Sequence, residues 1–319
     1  MKRGALFVPL LLLAAALHAY QCPAPAGPGE PVAEDALDCP WAGISRLMEE
    51  NAAKNLPLAP VLAEHAPGLA AQLAADKLNT GLKELWGESI NFDEMVKARI
   101  VHDSILSFLA GELALPGPHG KVVHAGMEHA YGYLFSLLPT KFGFKRARWV
   151  RDDIEAGLGF ARGTLGPSPA EGTLLANITC VAGDAAFSDD TAASAKLAEA
   201  SYACGSAARG WKAPGHFRLT ETVSLSRKRG VSLRTDFLPF GSVTSGGNAY
   251  LLVYSVKDDS RPHARLITAF PVAEGFVKNA LNPEYLGEGR QVQTRYNAWV
   301  EGFKGKLKGT RSAAWVAGD

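Results

Sequence analysis

Residues with the chemistry to move protons or hold an anion gather in one stretch, His124 to Trp149 (HAGMEHAYGYLFSLLPTKFGFKRARW). His124, Glu128 and His129 open it, and Lys145, Arg146 and Arg148 close it. A histidine near neutral pKa beside an orienting carboxylate is the usual general acid or base. The spacing predicts a helix over 121–138, ending at Pro139, with His124 and Glu128 on one face and His129 turned by a further ~100°. Two glycines, Gly126 and Gly132, weaken that helix by ~1 kcal/mol each relative to alanine. The candidate catalytic residues are His129, His124, Glu128 and Lys145, the lysine stabilising charge that develops on a phosphate. Arg146 and Arg148 are candidate phosphate contacts, and Tyr131 a candidate stacking surface for a base. The same residues also fit a structural account. Histidines then bond within the helix, the aromatics join the core, and the charges over 141–155 pair along a solvated helical face.

Several chemistries fall away on spacing. The histidines stand five apart, as HxxxEH, and miss both the HExxH and HxxEH zinc patterns, so no metal is expected. Ser245 in TSGGN lacks the GxSxG elbow of a serine hydrolase. GLGFARG is not delivered by a strand into a helix, as a dinucleotide fingerprint requires.

Gly126-Met127-Glu128-His129 resembles the Gly-Phe-Glu-His stretch of the EndoU-type endoribonucleases. Gly143-Phe144-Lys145 resembles that family's following Gly-Phe-His, with lysine in the place of the second histidine. KELWGESIN is similar to its Leu-Trp-x-x-x-x-Asn pattern, and Gly241-Ser242 with LLVYSV is similar to its last strands. The resemblance implies His129 as one catalytic histidine, RNA as partner, and cleavage through the RNA's own 2′-hydroxyl without an enzyme nucleophile. It also implies stimulation by Mn2+, the only cofactor in view. Leu238 stands near the place of the family's catalytic lysine, so two of three catalytic positions depart from the pattern. On that resemblance, either His216 or His263 takes over, or the chain is an inactive relative.

The elements that must position these residues fall into an ordered series. Lys2 and Arg3 precede the apolar run Ala5 to Leu17, and small residues follow, the layout of a secretory signal peptide over 1–19. No later stretch supplies a membrane span, so a secreted or periplasmic protein is expected. Losing Lys2 and Arg3 takes the formal charge from +1 to −1, which excludes a global nucleic-acid-binding charge and leaves RNA or another polyanion to local patches. Protein partners leave no mark.

Four cysteines lie beyond the leader: Cys22, Cys39, Cys180 and Cys204. An even count in an exported chain predicts two disulfides. Of the three pairings, proximity favours Cys22–Cys39 and Cys180–Cys204, because short loops cost less to close.

Residues 20–40 form a Pro/Ala-rich strap. Trp41, Ile44, Leu47 and Met48 begin helical periodicity, Asn91 or Asp93 is a candidate cap for a helix carrying Met95, Ile100, Leu106 and Leu109, and the helical half runs to about 156. Residues 157–172 are a Gly/Pro-rich connection. In the half from 173 to 319, LLANITCVAG is expected as a short buried strand carrying the sequon Asn177-Ile178-Thr179, and 190–208 as helix. HFRLTETVSLSRKRGVSLRTDFLPF is expected as a hairpin, and AYLLVYSV and ARLITAFPV as further strands. Helices first and strands later predict an α+β fold, a helical N-terminal half packed on a β-rich, mainly antiparallel C-terminal half.

Three functional classes follow: an EndoU-like RNA-cleaving enzyme or inactive relative, a noncatalytic secreted binding protein, and a hydrolase of another type using His124, Glu128 or His129.

Overall fold

The computed structural model describes residues 39–93, 96–116, 123–140, 143–144, 154–161, 163–166, 174–226, 229–241, 249–292 and 307–318. The leader, Cys22 and nearly all of the strap, and Lys145, Arg146 and Arg148 lie outside the described residues.

The chain begins as helices because its apolar residues recur every three or four positions. Helix α1 (Trp41–Ala53) buries Trp41, Ile44, Met48 and Ala52. Trp41 meets Phe135 edge-on at 6.2 Å, and Ser45 donates to the Leu134 carbonyl at 2.8 Å. Helices α2 (Ala59–His65) and α3 (Pro67–Leu78) each carry proline in the first turn, where its missing N–H costs nothing. Asn79 caps α4 (Thr80–Leu85) by accepting from Leu82 N at 2.9 Å. Strand β1 (Glu88–Ile90) then pairs antiparallel with β2 (Val123–Ala125).

The expected cap at Asn91 or Asp93 is corrected: α5 (Asp103–Glu112) starts later, capped by His102 Nδ1, which accepts from Ser104 N at 3.2 Å. Asn91 ties a loop instead, accepting from Ile100 N and Val101 N and donating to Val101 O.

The helix expected over 121–138 is shorter. It is α6 (Gly126–Gly132), entered from β2 and left through a 3-10 turn at 133–135. Gly126 marks the switch because the backbone is crowded there: a Cβ would stand 2.8 Å from Gly87 O and 3.1 Å from Ile267 O. Strands β3 (Pro139–Thr140) and β4 (Gly143–Phe144) pair, and α7 (Ile154–Gly157) follows. The Glu155 carboxylate accepts from the backbone N–H groups of Gly163, Leu165 and Gly166, which organises the start of the connection.

LLANITCVAG is not a strand. It lies in α8 (Leu174–Ala186), thirteen residues long and buried from Leu175 to Gly183. A continuous apolar run suits a buried strand or a helix covered on every side, and length decides for the helix. Asn177 is buried, its side chain donating to Thr164 O at 2.6 Å and accepting from Gly205 N at 2.7 Å, so the folded protein does not present the sequon at its surface. Helices α9 (Thr191–Ala200) and α10 (Ser206–Gly210) match the expectation over 190–208.

Six antiparallel strands complete the fold: β5 (His216–Ser226), β6 (Arg229–Pro239), β7 (Tyr250–Asp258), β8 (Arg265–Val272), β9 (Gly287–Val292) and β10 (Leu307–Val316), ordered β8-β7-β6-β5-β10-β9. The hairpin places Val223 opposite Val231, as alternation required.

The architecture is α+β. One apolar cluster joins Trp41, Leu85, Phe135 and Val181 of the helical layer to Leu238, Val253 and Leu266 of the sheet. The second sits on the sheet's other face, where Val277 and Ala280 of α11 (Glu274–Ala280) cover Phe237, Leu252 and Ile267. Cys180–Cys204 is a disulfide, as proximity predicted, and Cys39 is disulfide-bonded as well. Among the described residues no helix is long and apolar enough to cross a membrane.

Candidate functional site

Helix α6 carries the sequence-selected residues into the interior. Glu128, His129 and Tyr131 each expose 0% of their surface. His129 Nδ1 lies 2.9 Å from Ser89 Oγ on β1, and its ring stacks at a tilt on Tyr133 with centroids 4.5 Å apart. Ser89 itself is fully buried and stands opposite His124 in the β1–β2 register. His124 therefore belongs to a strand, and the common helical face expected for His124 and Glu128 does not form.

Tyr131 makes a second buried contact. Its hydroxyl donates to Asp76 Oδ2 on α3, while Gln72 Nε2 donates to Asp76 Oδ1 at 2.8 Å. Burial pushes the Asp76 carboxyl up to about 6, against the opposing pull of the Tyr131 and Gln72 bonds and the Lys83 charge. Burial also drives the Tyr131 hydroxyl well above its ordinary value, helped by the Asp76 charge and hydrogen bond. A tyrosine held this way is a core donor rather than a stacking platform for a base. Asp76 and Ser89 were not singled out by sequence. Their partners are 55 and 40 residues away, and no local pattern connects them.

The alternative histidines are also built into the frame. His216 Nε2 faces Asp236 Oδ1 at 3.1 Å, and Nδ1 faces the Pro214 carbonyl at 2.9 Å. Asp236 also accepts from Arg218 Nε at 2.6 Å, and Arg218 reaches Ala185 O at the end of α8. Thus His216 belongs to a buried network that locks α8 to β5 and β6. His263 Nδ1 lies 2.9 Å from Ala264 O, on a ring 7% exposed. Leu238, near the resemblance's lysine position, is fully buried in the core. Among the described residues no group of three or more His, Cys, Asp or Glu side chains could hold a metal ion.

A cleft of about 450 Å³ lies between α8, α9, α10 and the segment leading into β5. Its walls include Cys180, Asp184, Ser194, Arg209, Trp211 and Lys212. None of these but the cysteine had been singled out. Serines, one acid and scattered cations have no diagnostic spacing, and the cleft exists only once the helices pack.

No protein-family model matches the chain, and neither a curated protein nor a solved structure matches it.

Proposed function

We propose that the chain is an exported, noncatalytic binding protein. The observation that carries this reading is the complete burial of His129 beside Ser89 and Tyr133. A general acid or base must come within hydrogen-bond reach of the proton that it moves, directly or through one water. His129 meets a core hydroxyl and a core aromatic instead. His216 and His263, the histidines that the resemblance offers as replacements, turn ring nitrogens to a carboxylate and to backbone carbonyls. Disulfide use at Cys180–Cys204 supports an oxidising compartment.

The competing reading is RNA cleavage of the EndoU kind, supported by Gly126–His129 and Gly143–Lys145. Incubating the mature protein with single-stranded and structured RNA, with and without Mn2+, separates the two. The noncatalytic reading expects cleavage indistinguishable from buffer. Cleavage abolished in a folded His129→Ala variant would overturn it, since a general acid or base contributes about 10²–10⁴-fold.

A further inference from the structure

We propose that the cleft between α8, α9 and α10 binds a small polyhydroxylated carboxylate, a sugar acid. Its volume, about 450 Å³, lies in the range of small-molecule pockets. The hydrogen-bonding capacities that the cleft has left to offer select such a ligand.

Three serines line it, and each spends its single hydroxyl hydrogen on the backbone. Ser188 donates to Ala185 O at 3.5 Å, Ser194 to Phe187 O at 2.8 Å and Ser201 to Ala198 O at 2.8 Å. What each oxygen retains is acceptor capacity. A ligand on this side must bring donors, and hydroxyl groups are the neutral donors that fit.

The opposite requirement holds at Arg209 and Lys212. The Lys212 ammonium lies 3.1 Å from Asp184 Oδ1, and Asp184 Oδ2 accepts from Ala213 N at 2.8 Å. That acid balances the lysine and leaves the arginine as the excess positive charge. Arg209 Nη2 donates to Tyr202 O at 3.3 Å and Cys204 O at 2.9 Å, which holds the guanidinium in place. A guanidinium has five N–H donors in a rigid fork matched to a carboxylate, and these two bonds use one nitrogen.

The walls are already fixed. Cys180–Cys204 ties α8 to the segment before α10. Trp211 Nε1 donates to Leu158 O at 2.9 Å, and its ring packs on Phe160 at 5.7 Å, leaving an anchored aromatic surface for the apolar side of a sugar ring. Little ordering is then needed on binding, which favours affinity. The proposal rests on the noncatalytic reading only in that the ligand leaves unchanged. RNA cleavage would overturn that reading and leave a binding isotherm intact.

The test is titration of the mature protein with D-glucuronate, followed by calorimetry and by amide chemical-shift mapping. D-glucose and inorganic phosphate are the comparison arms. The expected result is saturable glucuronate binding with shifts confined to the cleft, and glucose at least about tenfold weaker because it lacks the charge-assisted bond to Arg209. Phosphate should also bind more weakly than glucuronate, because it brings no array of hydroxyl donors for the serine oxygens. Arg209→Gln should weaken glucuronate by about tenfold or more. Ser201→Ala removes an exposed acceptor and should weaken it by a smaller factor even if the arginine variant does not fold. Absence of saturable shifts, phosphate binding as tight as glucuronate, or unchanged affinity in both folded variants would overturn the assignment.

Discussion

Asp76 is where a single ionisation matters most. Burial raises its carboxyl from 3.8 to about 6. Between those values the folded protein holds a proton that the unfolded chain has released, so stability falls as pH rises. The contribution is whole below about pH 4, is lost as pH passes through about 6, and is on the order of 2–3 kcal/mol for a shift of this size. Urea denaturation across that window should therefore give a difference between wild type and Asp76→Asn that varies with pH. A constant difference would show that Asp76 titrates as an ordinary carboxyl. Neither the ionisation nor the contact was legible in the sequence. Tyr131 looked like an aromatic beside a basic run, and only packing of α6 on α3 turns its hydroxyl to Asp76. His129 was legible both as a site residue and as a core histidine, and spacing could not choose between them, because it specifies a helix and says nothing of what covers it.

Strong periods made the other elements readable. Trp41, Ile44 and Met48 fall on one helical face, and Val231 and Leu233 alternate along a strand, so each pattern allowed one structure. The 174–186 segment was harder to read, because α8 meets strands on one side and α9 and α10 on others and is buried along most of its length. The short buried strand expected there gives way to a helix of thirteen residues, a length that favours helix over strand. The disulfide at α8 was readable from proximity alone. It closes a loop of sequence separation 24 across Cα atoms 6.5 Å apart. Replacing both cysteines by alanine should lower stability by about 3 kcal/mol, read as a lower denaturation midpoint. An unchanged midpoint would mean that the Asp189, Asp236 and Arg218 network holds α8 to the sheet without help from the bridge.

Across the whole molecule, the α+β division was legible because helical periods precede alternating ones. How the layers meet was not, and that meeting decides the fate of the histidine cluster. Helix α6 lies against β8 as well as against β1 and β2, so His129 is carried to the seam between the helical layer and the sheet. A residue there supports packing, and solvent reaches it only when the structure opens. The most direct test of this account is histidine modification by diethyl pyrocarbonate, with site-resolved mass spectrometry of the native protein and of the protein unfolded in urea. The account predicts that native His129 reacts at least about tenfold more slowly than in the unfolded chain, since reaction requires opening. Equal rates in the two states would place His129 at the surface and contradict the noncatalytic reading built on its burial.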